Sequence, residues 1–236
     1  MPLIEAHAAR LEQVSDERWL ADAEAQARML RAAQALYALD GVTIGAGGLL
    51  AAASCWLAAS PGLGVGSAYV AAKARRALGR QADPPAVAAA ASVALASDVL
   101  RRVRAVVGDR AAIGHVLPDA GRLAADVGKP AERSWATDVL MELIRALGAD
   151  EPEVFLLVGD DELAPTLESL AEFFGAALIP LGPARPAGVI VQPPADLLAT
   201  DPPPGWLYTT SAEVDPAADP RAVRAALERL RTRRGS

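Results

Sequence analysis

Residues 153–183 read EVFLLVGDDELAPTLESLAEFFGAALIPLGP, and the order of apolar and breaking residues in this stretch decides the fold class. Val154, Phe155, Leu156, Leu157 and Val158 are a run of β-formers that Gly159, Asp160 and Asp161 break. Over 162–174 the apolar residues Leu163, Leu167, Leu170, Phe173 and Phe174 recur at helical spacing. Gly175 stops the helix, and 177–181 is a second apolar run closed by Gly182 and Pro183. Strand, turn, helix, glycine stop and strand make a βαβ unit, which pairs parallel strands through a right-handed crossover. Chains built from such units carry their chemistry at the carboxyl ends of their strands.

The same signals extend outward in both directions. Further strands are expected at 41–45, 110–117, 188–191 and 206–210. Residues 4–39 read as helix, with Trp19, Leu20, Ala23, Ala27, Leu30, Ala33 and Tyr37 recurring at a period near that of an α-helix. Asp83, Pro84 and Pro85 open a helix that runs to Val107, since prolines are tolerated in a first turn. A helix over 134–147 aligns Trp135, Val139, Leu140, Leu143, Ile144 and Leu147, and the closing helix covers 221–231. The turn Gly45-Ala46-Gly47-Gly48, after a strand and before a helix, either brings backbone N–H groups close to an anion or packs backbone against a neighbour. Its spacing is not that of a dinucleotide fingerprint.

Composition narrows the possibilities. A chain of 236 residues suits a single domain, 1–236, with 1–39 as a helical extension. Aromatic residues are only 4%, which favours close-packed helices on a sheet over an aromatic-rich sandwich. The net charge of −6 offers no general field for nucleic acid. Cys55 is the only cysteine, which excludes an intramolecular disulfide and a multi-cysteine metal site and fits a reducing cytoplasm. No secretory signal is visible in Met-Pro-Leu-Ile-Glu. Residues 41–72 carry no charge, but Ala, Gly and Ser dominate them and Pro61-Gly62 interrupts them, so a buried strand and an Ala-rich helix are expected rather than a membrane span.

Three segments resemble the uroporphyrinogen decarboxylase superfamily. Residues 16–45, a long helix running into Ala-Leu-Asp-Gly-Val-Thr-Ile-Gly, are similar to the entry into that family's barrel. So is the end of the chain, Trp206-Leu-Tyr-Thr-Thr-Ser-Ala-Glu-Val-Asp-Pro followed by Asp219-Pro-Arg-Ala-Val-Arg-Ala-Ala-Leu. Residues 99–128, with Val-Gly-Asp-Arg, a strand and Leu-Pro-Asp-Ala-Gly-Arg-Leu-Ala, share the family's rhythm of strand and turn. The resemblance implies a TIM-type (β/α) barrel, complete or shortened, with its site at the carboxyl face. It also implies porphyrinogen decarboxylation without a cofactor, or zinc-dependent methyl transfer in corrinoid pathways. The chain departs from the family in lacking an amino-terminal Arg-x-x-x-Arg segment, a Tyr-Gly-Asp-Thr stretch and a His-x-Cys zinc set with a second cysteine.

Polar residues at the expected strand ends supply the candidate chemistry. Asp160, His115 and Glu213 are the candidates for proton transfer: adjacent carboxylates can shift one another's pKa, and a strand-end histidine titrates near neutrality. Each has a structural alternative, a turn for the carboxylates and a backbone-bonded core position for His115. Asp161 is the expected N-cap of the helix beginning at Glu162. Arg122, Asp119, Thr43, Thr209 and Thr210 are the candidates for holding a substrate, Arg122 by pairing a carboxylate. No metal site or cofactor is expected.

The leading expectation is a decarboxylase-like lyase acting on a small carboxylate-bearing molecule by acid–base chemistry. The alternatives are a catalytically silent relative that binds a ligand or partner and pairs as a homodimer through its Ala-rich helices, and a corrinoid-linked methyltransferase. A pocket lined by Asp160, His115 and Arg122 would favour the enzyme, and a mouth plugged by side chains would favour the silent relative.

Overall fold

The computed structural model describes residues 3–161, 163–183, 185–192, 195–196, 207–210 and 214–234. Helices α1 (Glu5–Leu11), α2 (Asp16–Trp19) and α3 (Ala23–Tyr37) precede β1 (Gly41–Ile44). A 3-10 turn, Ala46–Gly48, leads into α4 (Leu49–Ala59), and α5 (Val65–Lys73), α6 (Pro84–Ala88) and α7 (Ala91–Val107) follow. The chain then alternates through β2 (Ala112–Pro118), α8 (Ala120–Asp126), α9 (Arg133–Gly148), β3 (Val154–Val158), α10 (Pro165–Phe173) and β4 (Ala177–Pro180). β5 (Val189–Gln192), β6 (Leu207–Thr210) and α11 (Pro220–Arg234) complete the described elements.

The α/β class and the central βαβ unit are as expected, and two details of that unit differ. Helix α10 begins at Pro165 with Ala164 as N-cap, because proline lacks an N–H and fits only the first turn. Asp161 therefore lies ahead of the helix and does not cap it. At the other end Phe173 is 80% exposed, pointing about 100° round the helix from Phe174. Phe174 takes the inward place, against Gly148 of α9, where an added Cβ would meet its ring at 2.6 Å. The helix expected from Asp83 to Val107 is divided between α6 and α7 at Ala89 and Ala90, where Ala90 is extended.

Strands β1, β2, β3 and β4 form one parallel sheet in sequential order, and β5 pairs with β6 in a second parallel sheet. Among the described residues no ladder joins β4 to β5 or β6 to β1. The alternation of side chains along each strand sorts the core into two layers. Val42, Ile44, Ile113, Leu117, Phe155 and Leu157 pack with the helices. Val116, Leu156, Val158, Ile179, Leu181 and Val189 form a separate inner layer, with Val191 and Leu207 against it. Burying each such side chain contributes about 1.5–3 kcal/mol, and β3 is buried along its whole length, as parallel strands covered on both faces are.

The amino-terminal extension is part of this core. Leu3 is fully buried in the inner layer; its N–H donates to Thr210 Oγ1 at 3.0 Å and its carbonyl accepts from Val214 N at 2.8 Å. The charge-free stretch 41–72 becomes β1, the glycine turn, α4 and α5, and Ala51, Ala52, Ala53 and Cys55 of α4 are fully buried. Among the described residues no helix is long and apolar enough to cross a membrane.

Candidate functional site

The rim formed by the carboxyl ends of β2 and β3 is closed by its own polar groups. Asp119 follows β2 and caps α8, with Oδ1 accepting from Arg122 N at 2.7 Å. Its Oδ2 accepts from Asp161 N at 2.9 Å, and its own N–H donates to Val158 O at 3.0 Å. Both carboxylate oxygens are thus engaged, Oδ1 in capping α8 and Oδ2 in tying the β2 end to the β3 end. Gly159 makes the approach possible: at φ +155° an added Cβ would lie 1.7 Å from Asp119 Oδ2. Asp161 is ion-paired to Arg133 at 3.0 Å, and Asp160 faces solvent. The space between these groups is a cavity of about 40 Å³, enough for water but not for a substrate.

The remaining candidates from the sequence lie elsewhere. His115 aligns with Ile44 and Phe155 in the ladder, on the face covered by helices, and its ring is 5.9 Å from that of Phe155. It is fully buried, and burial lowers its pKa to about 4; the Asp150 charge and the Ile44 backbone offset this only in part. A neutral imidazole in the helix-packed layer does not share a mouth with Asp160. Arg122 reaches along α8 to Asp126, at 3.5 Å, and Arg75 holds the other oxygen of that buried carboxylate at 3.2 Å. Its guanidinium is therefore paired within the fold. Thr43 shares a face with Val154, and Thr209 with Leu207; both hydroxyls are buried in the inner layer without a hydrogen-bond partner among the described residues. Thr210 is the acceptor for Leu3. Glu213 lies outside the described residues. Asp119 and Asp161 are brought together, and His115, Arg122 and the threonines are not.

A second and larger space lies at the carboxyl end of β1, where the extension crosses the glycine turn. It is a cavity of about 460 Å³, with Trp19, Leu20, Leu49 and Tyr69 among its walls and Arg10 of α1 and Lys73 of α5 among its polar groups. Tyr69 and Lys73 stand four residues apart and so share one face of α5. Trp19, Leu20 and Tyr69 are buried, whereas Arg10 and Lys73 are exposed. Burial, with Glu5 adding to it, pushes the Tyr69 phenol well above its ordinary pKa, so it stays a hydroxyl.

The glycine turn meets an internal carboxylate. Gly45, Ala46, Gly47 and Gly48 all have positive φ, and Ala46 N donates to Glu5 Oε2 at 2.9 Å. Gly45 also packs directly on β2, since a Cβ there would meet Val116 O at 2.4 Å. Both readings of the turn are thus realised, with the anion supplied by α1. Two residues further on, His7 is held between Tyr37 Oη at 2.8 Å (Nε2) and the Asp215 carbonyl at 3.2 Å (Nδ1). A carbonyl only accepts, so Nδ1 carries the proton and Nε2 accepts from Tyr37. Burial lowers the His7 pKa, opposed by its backbone contacts at Asp215 and Pro216.

No protein-family model and no curated protein matches this chain. The site is therefore read from its own geometry. Sequence reasoning passed over Glu5, His7, Arg10 and Tyr69. The available signals were Tyr69 and Lys73 at helical spacing and three ionisable residues, Glu5, His7 and Arg10, inside an otherwise apolar amino-terminal helix. Among the described residues no cluster of three His, Cys, Asp or Glu side chains could hold a metal ion.

Proposed function

We propose that this protein is a ligand-binding relative of the uroporphyrinogen decarboxylase-like barrels, holding a small carboxylate-bearing molecule at the end of β1 and carrying out no acid–base chemistry at its strand-end rim. The observation that carries this reading is the contrast between the two spaces. The β1 cavity, about 460 Å³, falls in the range of small-molecule sites and has two cationic side chains in its lining. The rim cavity is about 40 Å³, and its carboxylates are engaged by Arg122 N, Asp161 N and Arg133. A lyase of the kind implied by the resemblance needs a proton donor or acceptor facing its substrate. His115 is enclosed and Glu5 already accepts from Ala46, which weighs against that chemistry.

The barrel descent is supported by the sequential parallel order of β1 to β4 and by an inner layer shared with β5 and β6. Leu3 fills part of that layer and is bonded to Thr210 at the carboxyl end of β6, which fits a silent member better than an active one. Corrinoid-linked methyl transfer finds little support, since burial pushes the Cys55 thiol up to about 12.

Titration calorimetry with small carboxylates tests the proposal. Arg10→Ala and Lys73→Ala are expected to weaken binding about tenfold or more each, the scale of a lost charge-assisted contact, while Arg122→Ala leaves it unchanged. The reverse pattern, with binding lost at Arg122 or Asp160 and kept at Arg10, would return the function to the rim.

A further inference from the structure

We infer that the occupant of the β1 cavity is an amphipathic monocarboxylate that enters apolar end first and leaves its carboxylate at the rim with Arg10 and Lys73. This rests on the reading of the cavity as a carboxylate site and names the class of molecule that the site accepts. The distribution of polarity with depth carries it. The walls nearest the protein interior are apolar or aromatic: Trp19 and Leu20 are 5% exposed and Tyr69 is 2% exposed. Both cations, by contrast, reach solvent, as does Val70 beside Lys73, at 51%. Arg10 has no ion-pair partner among the described residues, so its guanidinium is available to an incoming anion.

The electrostatics of the floor point the same way. Glu5 is fully buried behind two lining residues, accepting from the Ala46 N–H and acting on the Tyr69 phenol. A second carboxylate carried to that depth would be desolvated beside a negative charge, at a cost of several kcal/mol. A hydrocarbon or aryl body meets no such penalty there and gains from leaving water. The polycarboxylate pattern of a porphyrinogen is therefore the wrong chemistry for this cavity, and one anionic group on an apolar body is the right one.

The test uses the full chain and unbranched alkanoates of four, six, eight and ten carbons, below their micelle concentrations, read by calorimetry. Each added methylene is expected to tighten binding about fourfold, the equivalent of roughly 0.8 kcal/mol per buried CH₂, until the cavity is filled. The primary amide of the best chain should bind at least tenfold more weakly. Arg10→Gln should remove that preference for carboxylate over amide while keeping the fourfold increment, a split that a merely misfolded variant would not produce. Carboxylates that bind with no dependence on chain length, or α,ω-dicarboxylates that bind more tightly than monocarboxylates of equal length, would overturn this inference and leave the carboxylate site standing. Failure of every carboxylate to bind a folded protein would instead remove the site itself.

Discussion

The His115 imidazole sits where water cannot reach it, between the sheet and its helices, and that position has a consequence for stability. Its ring nitrogens make no well-formed hydrogen bond among the described residues, the nearby Ile44 backbone offsets burial only in part, and the pKa comes down from 6.5 to about 4. The unfolded chain takes up a proton near pH 6.5 that the folded ring refuses, so the unfolded state binds more protons between the two values. The contribution is full above pH 6.5, declines as pH falls, and is spent near pH 4, with a size of roughly 3 kcal/mol. His7 acts in the same direction, through its own burial. Urea unfolding of His115→Leu at pH 7, 5.5 and 4.5 should show a shallower acid loss than the wild type, with His7 contributing to the slope that remains. Equal slopes in the two proteins would mean that His115 is hydrated or bonded in the fold. Asp119 is a second lesson at this scale: a strand-end carboxylate read as a substrate contact proves to be a staple between two loops.

Helix α1 and the Leu3 that precedes it are held at three points, and each joins distant parts of the chain. Leu3 donates to Thr210, Glu5 accepts from Ala46, and His7 bridges Tyr37 and Asp215. Arg224 and Arg231 of α11 donate to the backbone at Leu36 and Tyr37, so the two ends of the chain close over α3. Thr210→Val keeps the shape of the side chain and removes the acceptor for a buried N–H, which should cost about 1–3 kcal/mol. Hydrogen exchange should show faster opening of α1 than of α9 in that variant; uniform loss of protection across the molecule would place Thr210 in the global core instead. The helical character of 4–39 was legible in the sequence, but its division was not: Asp22 caps a separate α3, so Leu30 and Tyr37 mark the buried face of that helix while Trp19 ends α2. Nor was the docking of α1, because the Leu3–Thr210 bond spans 207 residues and leaves no local pattern.

At the scale of the whole molecule, α4 lies among the other layers with none of its residues exposed, and Cys55 reports on it. The thiol is fully buried and raised to about 12, so it reacts only after the surrounding layers separate. Alkylation in native buffer should run about four orders of magnitude slower than in denaturant, the ratio that a folding free energy of ordinary size implies, and should slow further with a saturating ligand. Rapid native labelling would mean that α4 opens on its own.

What the amino-acid order determined by itself was the succession of parallel strands and helices. Apolar runs such as Val154–Val158, bounded by glycine and followed by residues of helical period, have one local solution, the βαβ unit. Tertiary structure alone decided which face of each strand met helices and which met the inner layer. The strands are apolar on both faces, so the two-residue period carries no inside or outside label, and His115 and Thr43 could be assigned to a face only once their neighbours were in place. It also decided where space remained, since a cavity is what side chains from α1, α2, α5 and the glycine turn leave unfilled when they pack together.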